Sequence, residues 1–159
     1  MAHVKWLREI TVLFTPFTGF QNEVAYRLRT SAEDPGVPVS RIQPRALAVP
    51  PGFPDFMTRR RVVDAGPVTL FGRAWSGRAL VSGVDVSVDD GLTWTSASLG
   101  PSRSRHAWRP WSCTWDAVPG EYTLCCRAAD AEGVQPVEQP WNVQGMANNL
   151  AQRIPVTVR

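Results

Sequence analysis

Val84-Asp85-Val86-Ser87-Val88-Asp89-Asp90-Gly91-Leu92-Thr93-Trp94 is the stretch on which the fold turns. Val84, Val86 and Val88 alternate with Asp85, Ser87 and Asp89. Successive side chains of a strand point to opposite faces, so this is a half-buried strand with one solvated face. Asp89-Asp90-Gly91 ends it in a tight turn in which glycine supplies a positive φ, and Leu92–Ser98 is expected to return as the antiparallel partner. The side chains of Ser87 and Asp89 can satisfy backbone amides inside that turn, while Trp94 packs across the hairpin.

Working outward, Val68–Trp75 predicts a strand before it. Ala107–Asp116 and Glu121–Ala129 predict a second hairpin-like pair about Val118-Pro119-Gly120. Asp130-Ala131-Glu132-Gly133 predicts another turn, and Ile154–Val158 a closing strand. Along the strand of Trp111 and Trp115 those two indoles should share a face, with Trp108 opposite. Large aromatics on both sides are expected where one face meets the core and the other a partner, although cover for loops of the same chain is equally compatible. Upstream, Arg8–Phe14 alternates and predicts one strand. Thr30–Pro38 is a turn-rich stretch and the best boundary, and Arg41–Val49 looks extended until Pro50-Pro51-Gly52. The fold class expected is therefore all-β: a sandwich of immunoglobulin type, residues 41–159, behind an N-terminal extended arm, residues 1–40. No cysteine–tryptophan–cysteine signature of an antibody domain is present.

Bulk properties exclude several classes. The 159 residues carry 17 basic and 14 acidic side chains, a net charge of +3, too small to argue for nucleic acid. Arg59-Arg60-Arg61 runs directly into Val62-Val63 and reads as a solvated or ion-paired strand start. No apolar run approaches the ~20 residues of a membrane helix. Met1 is followed by patterned polar sequence rather than by a basic head and apolar core, so no signal peptide is read there, and no compartment follows. Cys113, Cys125 and Cys126 match no zinc or redox spacing. Adjacent Cys125 and Cys126 should face opposite ways, and all three read as packing thiols. His3 and His106 lack the neighbours of a catalytic or metal pattern. Residues 87–94 fit the Asp-box pattern of sialidase-like propellers, but those repeat it in every blade and here it occurs once, as a folding device. No glycine-rich phosphate loop is present, no catalytic residue is nominated, and no metal ligand is nominated.

Several stretches resemble one family in their order and spacing: Val4-Lys5-Trp6-Leu7, Pro16–Gln21, Val49–Phe56, Gly72–Gly77, Asp90–Trp94, Ala107–Trp111, Arg127–Asp130, Gln135-Pro136 and Pro140–Asn149. Over nearly its whole length the chain is similar to the C-terminal dimerisation domain of sulfite oxidase-like molybdenum-cofactor oxidoreductases. The resemblance implies an E-set type of immunoglobulin-like sandwich over 41–159 and, over 1–40, the tail of a molybdopterin-binding domain with its linker. It implies a homodimer, an upstream molybdopterin-binding domain that carries the metal-ligating cysteine, and closure of one side of the substrate pocket by the sandwich. None of the three cysteines here falls at the ligand position, so the isolated chain is expected to bind no cofactor and to be inactive. Lys5 matches the family lysine that helps hold the pterin, an ammonium beside an anionic group; His3 stands where relatives often carry serine. Gln144 stands where sulfite oxidases place an arginine in the anion pocket, and glutamine can hydrogen-bond an oxyanion but carries no charge. A reading from a different class is a stand-alone immunoglobulin-like binding module without redox activity; a third is a truncated gene product.

Overall fold

The computed structural model describes residues 4–140, 142 and 145–159. The chain divides into two compact units, one up to Val39 and including Asn142, the other from Ser40 onward.

In the first unit residues 4–19 form no ladder. Ile10, Val12 and Phe14, the apolar side of the strand expected at Arg8–Phe14, all lie exposed, Phe14 fully so. That expectation is corrected: a strand exists only by pairing its N–H and C=O groups with a neighbour, and no described residue offers one. A single helical turn, Gln21–Ala25, closes with Tyr26 N–H donating to the Gln21 carbonyl at 2.9 Å. Strands β1 (Arg27–Leu28) and β2 (Val37–Pro38) then form a small antiparallel hairpin. The Asp34 carboxylate organises its loop, accepting from Thr30 N and Thr30 Oγ1 at 2.9 Å and from Gly36 N at 2.8 Å, which holds its pKa below the ordinary carboxylate value.

The second unit is two stacked sheets, not closed into a barrel. The smaller has the order β3-β6-β10-β9: Arg45–Ala48, Gly66–Trp75, Arg109–Ala117 and Ser98–Leu99. The larger is built on β4 (Phe53–Pro54), β5 (Arg61–Val63), β13 (Gln152–Val158), β11 (Gly120–Asp130), β7 (Gly83–Ser87) and β8 (Thr95–Ser96), in that order, with β12 (Gly133–Val134) also paired to β11. Its strands pair antiparallel except β5 beside β13. Inward residues of both sheets make one core: Ala46, Leu70, Ala74 and Trp111 from the smaller, and Val84, Val86, Leu124, Cys126, Ala128, Ile154 and Val156 from the larger. Burying such side chains contributes about 25 cal/mol per Å² of apolar surface removed from water. Trp111 and Trp115 do share the inward face; Trp108 lies just before β10, half-exposed, stacked on Trp75 at 6.1 Å between ring centroids.

Two pairings differ from expectation. Of Leu92–Ser98 only Thr95–Ser96 pairs with β7; after Ala97 N donates to the Val84 carbonyl at 2.8 Å, Ser98–Leu99 crosses to pair with β10 in the opposite sheet. The two long segments around Val118-Pro119 are not a hairpin either, because β10 pairs with β6 and β11 with β13 and β7. A two-residue hairpin turn needs positive φ at its centre, which β-branched Val118 and φ-locked Pro119 refuse, so the chain passes from one sheet to the other. The expected turn at Asp130–Gly133 is present between β11 and β12.

The sheets are also joined by buried polar groups. Gln135, 1% exposed, accepts from Ala46 N of β3 at 2.7 Å and Ala128 N of β11 at 3.2 Å, and donates to the Leu150 carbonyl at 3.1 Å. Asn149 donates to the Pro44 carbonyl at 2.7 Å, and its own amide is held by Gln139. Buried Ser76 donates to Asp130 at 2.6 Å.

Candidate functional site

The Asp-box residues form a turn and nothing more. Ser87 Oγ accepts from Gly91 N at 2.8 Å and donates to Asp89 at 2.7 Å; Asp89 accepts from Thr93 N at 2.8 Å and from its hydroxyl at 2.5 Å. Hydrogen bonds from Thr93 and Ser87 lower the Asp89 pKa from 3.8 to about 2. Gly91 has the expected positive φ, 89°. Trp94 donates to the Gly91 carbonyl at 3.0 Å and carries the Arg127 guanidinium 4.1 Å above its ring. Every polar group here is spent within the chain.

The two outer sheet faces are chemically unlike. On the larger sheet, exposed charges are paired internally: Arg127 with Asp85 at 3.1 Å, Arg153 with Asp90 at 2.7 Å and also with Glu138, and Arg60 with Glu121. Such a face is satisfied by its own neighbours and by water. On the smaller sheet the residues alternating with the core positions are Thr69, Phe71 and Arg73 of β6, Leu47 of β3, and Ser112 and Thr114 of β10. Phe71 is 47% and Leu47 37% exposed, and the stacked pair Trp75–Trp108 lies at the same end. Trp75 is pinned there by its indole N–H, which donates to the His106 carbonyl at 2.7 Å. Gly72 lets strands β3 and β6 approach closely beneath these groups. A Cβ on Gly72 would come within 1.9 Å of the Leu47 carbonyl oxygen and 2.7 Å of the Trp111 ring. Exposed large apolar side chains on a sheet face, here Leu47, Phe71 and Trp108 among polar neighbours, are a common feature of association surfaces.

Of the residues singled out in the sequence, Lys5 lies exposed in the first unit and makes no ion pair among the described residues. Gln144 and His3 lie outside the described residues. His106 is exposed. The arginine run is structural: Arg59 sits 5.5 Å from the Phe56 ring, Arg60 donates to the Val156 carbonyl at 2.9 Å, and Arg61 to the Pro51 carbonyl at 2.7 Å. The cysteines are free thiols, and burial pushes Cys125 to about 11 and Cys126 to about 12, which makes both poor nucleophiles and poor metal ligands at neutral pH. Cys126 packs in the core while Cys125 lies 3.7 Å from the Asp90 carboxylate on the other side of the strand, as their adjacency requires. Among the described residues no cluster of three or more metal-ligating side chains exists. The outward set Leu47, Phe71 and Arg73 was not nominated from sequence. The available signal was the alternation of Phe71 and Arg73 with Leu70, Gly72 and Ala74.

Along most of its length the chain is similar to known proteins. Residues 53–159 match the family model described as the Mo-co oxidoreductase dimerisation domain. Mitochondrial sulfite oxidase of Mus musculus is 41% identical over 108 residues, 61% of this chain and 20% of that protein. Sulfite oxidase of Gallus gallus is 32% identical over 176 aligned positions, 94% of this chain and 35% of that protein. A nitrate reductase of Hordeum vulgare is 26% identical over 98% of this chain and 20% of its own length. The chain thus spans between a fifth and about a third of these relatives. The crystal structure of a sulfane dehydrogenase from Paracoccus pantotrophus superposes with a TM-score of 0.68 at 23% identity, covering 87% of this chain and 36% of that one, and so shares the fold. A match over two thirds of the sequence places this chain in the Mo-co oxidoreductase dimerisation domain family.

Proposed function

We propose that this chain is the homodimer-forming part of a sulfite oxidase-like molybdenum-cofactor oxidoreductase, and that its sandwich is of the immunoglobulin-like, E-set type. The observation that carries the reading is the family match over 53–159, and the apolar outer face of the smaller sheet is what gives it a physical basis. Residues 1–40 are the tail and linker of a molybdopterin-binding domain, and 41–159 the dimerisation domain; the alternating apolar residues of Arg8–Phe14, exposed and without a ladder here, support the assignment of that segment to a sheet completed by preceding sequence.

The described residues do not fit a molybdenum cofactor by themselves. Lys5 is a lone exposed cation, the thiols are held protonated by burial, and no acidic or imidazole cluster accompanies them. The metal ligand therefore belongs to the upstream domain, and no chemical step is assigned to side chains of this chain. Within the assembled enzyme Lys5 would be this chain's residue for holding the anionic pterin, and Gln144 would line a substrate pocket without the cation of a sulfite site. Sulfite should then be a poor substrate of the full-length parent. Steady-state assay with sulfite checks this, and turnover at ordinary sulfite oxidase rates would overturn the altered-substrate reading.

The dimer is tested on the chain itself. Light scattering on the eluting protein should give a mass near twice 17.6 kDa, and Phe71→Asp should shift it to the monomer value with the melting midpoint little changed, because the side chain faces outward. A wild-type chain that stays monomeric at high micromolar concentration overturns the homodimer. A stop codon and ribosome-binding site immediately upstream of the Met1 codon would instead favour a stand-alone binding module.

A further inference from the structure

The outer face of the smaller sheet has two chemically different ends. In the β6–β10 register Arg73 lies beside Pro110, and Asp116 lies beside Pro67. Six residues separate these levels, about 20 Å along the strands at ~3.4 Å per residue. Between them lie Phe71 beside Ser112 and Thr69 beside Thr114, a strip without charge. Arg73 and Asp116 are both exposed. Among the described residues Arg73 makes one hydrogen bond, to the Gly72 carbonyl at 3.2 Å, and neither it nor Asp116 has an ion-pair partner. Of the other cations at the Trp75 end, Arg45 is engaged with the Asn148 carbonyl at 3.2 Å and Arg109 with the Gly100 and Val81 carbonyls. Exposed Glu121, Asp90 and Arg153 elsewhere on the sandwich are paired within the chain, whereas these two, on one sheet face, have no ion-pair partner among the described residues.

Two copies meeting face to face do so about a two-fold axis lying in the interface plane. An axis along the strands sets Arg73 over the partner's Arg73 and Asp116 over the partner's Asp116, two like-charge contacts. An axis across the strands reverses the second sheet and sets each Arg73 over the level of the partner's Asp116. We propose that this chain pairs with a second copy through the outer face of the smaller sheet about the axis across the strands, with Phe71 beside the axis and an Arg73–Asp116 pair at each end. The proposal rests on the homodimer reading and adds its orientation. Opposite charges at the rim fix register and suppress the alternative packing more than they add affinity.

The test is a charge exchange. Arg73→Glu and Asp116→Arg, made singly and together, are compared with the wild-type chain by sedimentation equilibrium, with circular dichroism to confirm folding; both side chains are exposed, so the core is untouched. Each single change should weaken the dimer about tenfold or more, because it puts like charges opposite each other twice, and the double variant should recover to within about threefold of wild type. A wild-type dimer whose double variant is as weak as, or weaker than, the singles overturns the orientation and leaves the homodimer standing. Singles that leave the dimer unchanged overturn it too. A wild-type chain that is monomeric throughout overturns both.

Discussion

Gly72 shows how a single missing atom sets the geometry of a face. Its backbone is ordinary strand, so it is required by proximity rather than by φ: the Leu47 carbonyl oxygen occupies the place of a Cβ, and the Trp111 ring closes the other side. Gly72→Ala must push β3 away from β6 or tilt Trp111 out of the core, and overpacking of this kind costs about 1–3 kcal/mol. A lowered denaturation midpoint at unchanged m-value is the expected result. The sequence could not announce this glycine, because what forbids a side chain there is a carbonyl from a distant segment. By contrast the turn residues Ser87, Asp89 and Gly91 were legible, since all their partners lie within four residues.

At the scale of elements, what was legible was the existence of strands, and what was not was their membership of a sheet. Alternation reports burial on one face, and both sheets of a sandwich bury one face, so β8, β9, β10 and β11 look alike in sequence while two belong to each sheet. Refusal of a tight turn by Val118-Pro119 was the one local clue to a crossing. The arm failed for the opposite reason: Arg8–Phe14 has the pattern of a strand and no described neighbour to make it one. The 87–94 turn that holds β7 against β8 carries its own pH dependence. Asp89 is lowered from 3.8 to about 2 by its hydrogen bonds, so its contribution is complete above pH 4 and is lost as pH falls towards 2. Asp89→Asn should therefore lie below wild type in melting temperature at pH 7, with the gap closing between pH 4 and pH 2. A gap independent of pH would show that the carboxylate charge is not what holds the turn.

For the whole molecule, family and general architecture were legible because the distinguishing stretches are spread through the chain in fixed order, and the family match over 53–159 covers most of them. The outward face proposed for association was not, because an outward Phe71 flanked by Leu70 and Gly72 reads as one continuous apolar strand.

The lengths of the outermost strands bear on how copies can add to one another. The larger sheet ends in β4 and β8, two residues each; the smaller ends in β3, four residues, and β9, two. A free edge recruits further chains only where it offers a long row of open amides and carbonyls, and edges this short offer one or two. The flank a sideways neighbour could use is thus not an outermost strand but the part of β10 that β9 leaves uncovered, since β9 pairs only with Trp111 and Ser112. In the proposed face-to-face pair each copy covers the other's broad face, and a two-fold pair of that kind is closed.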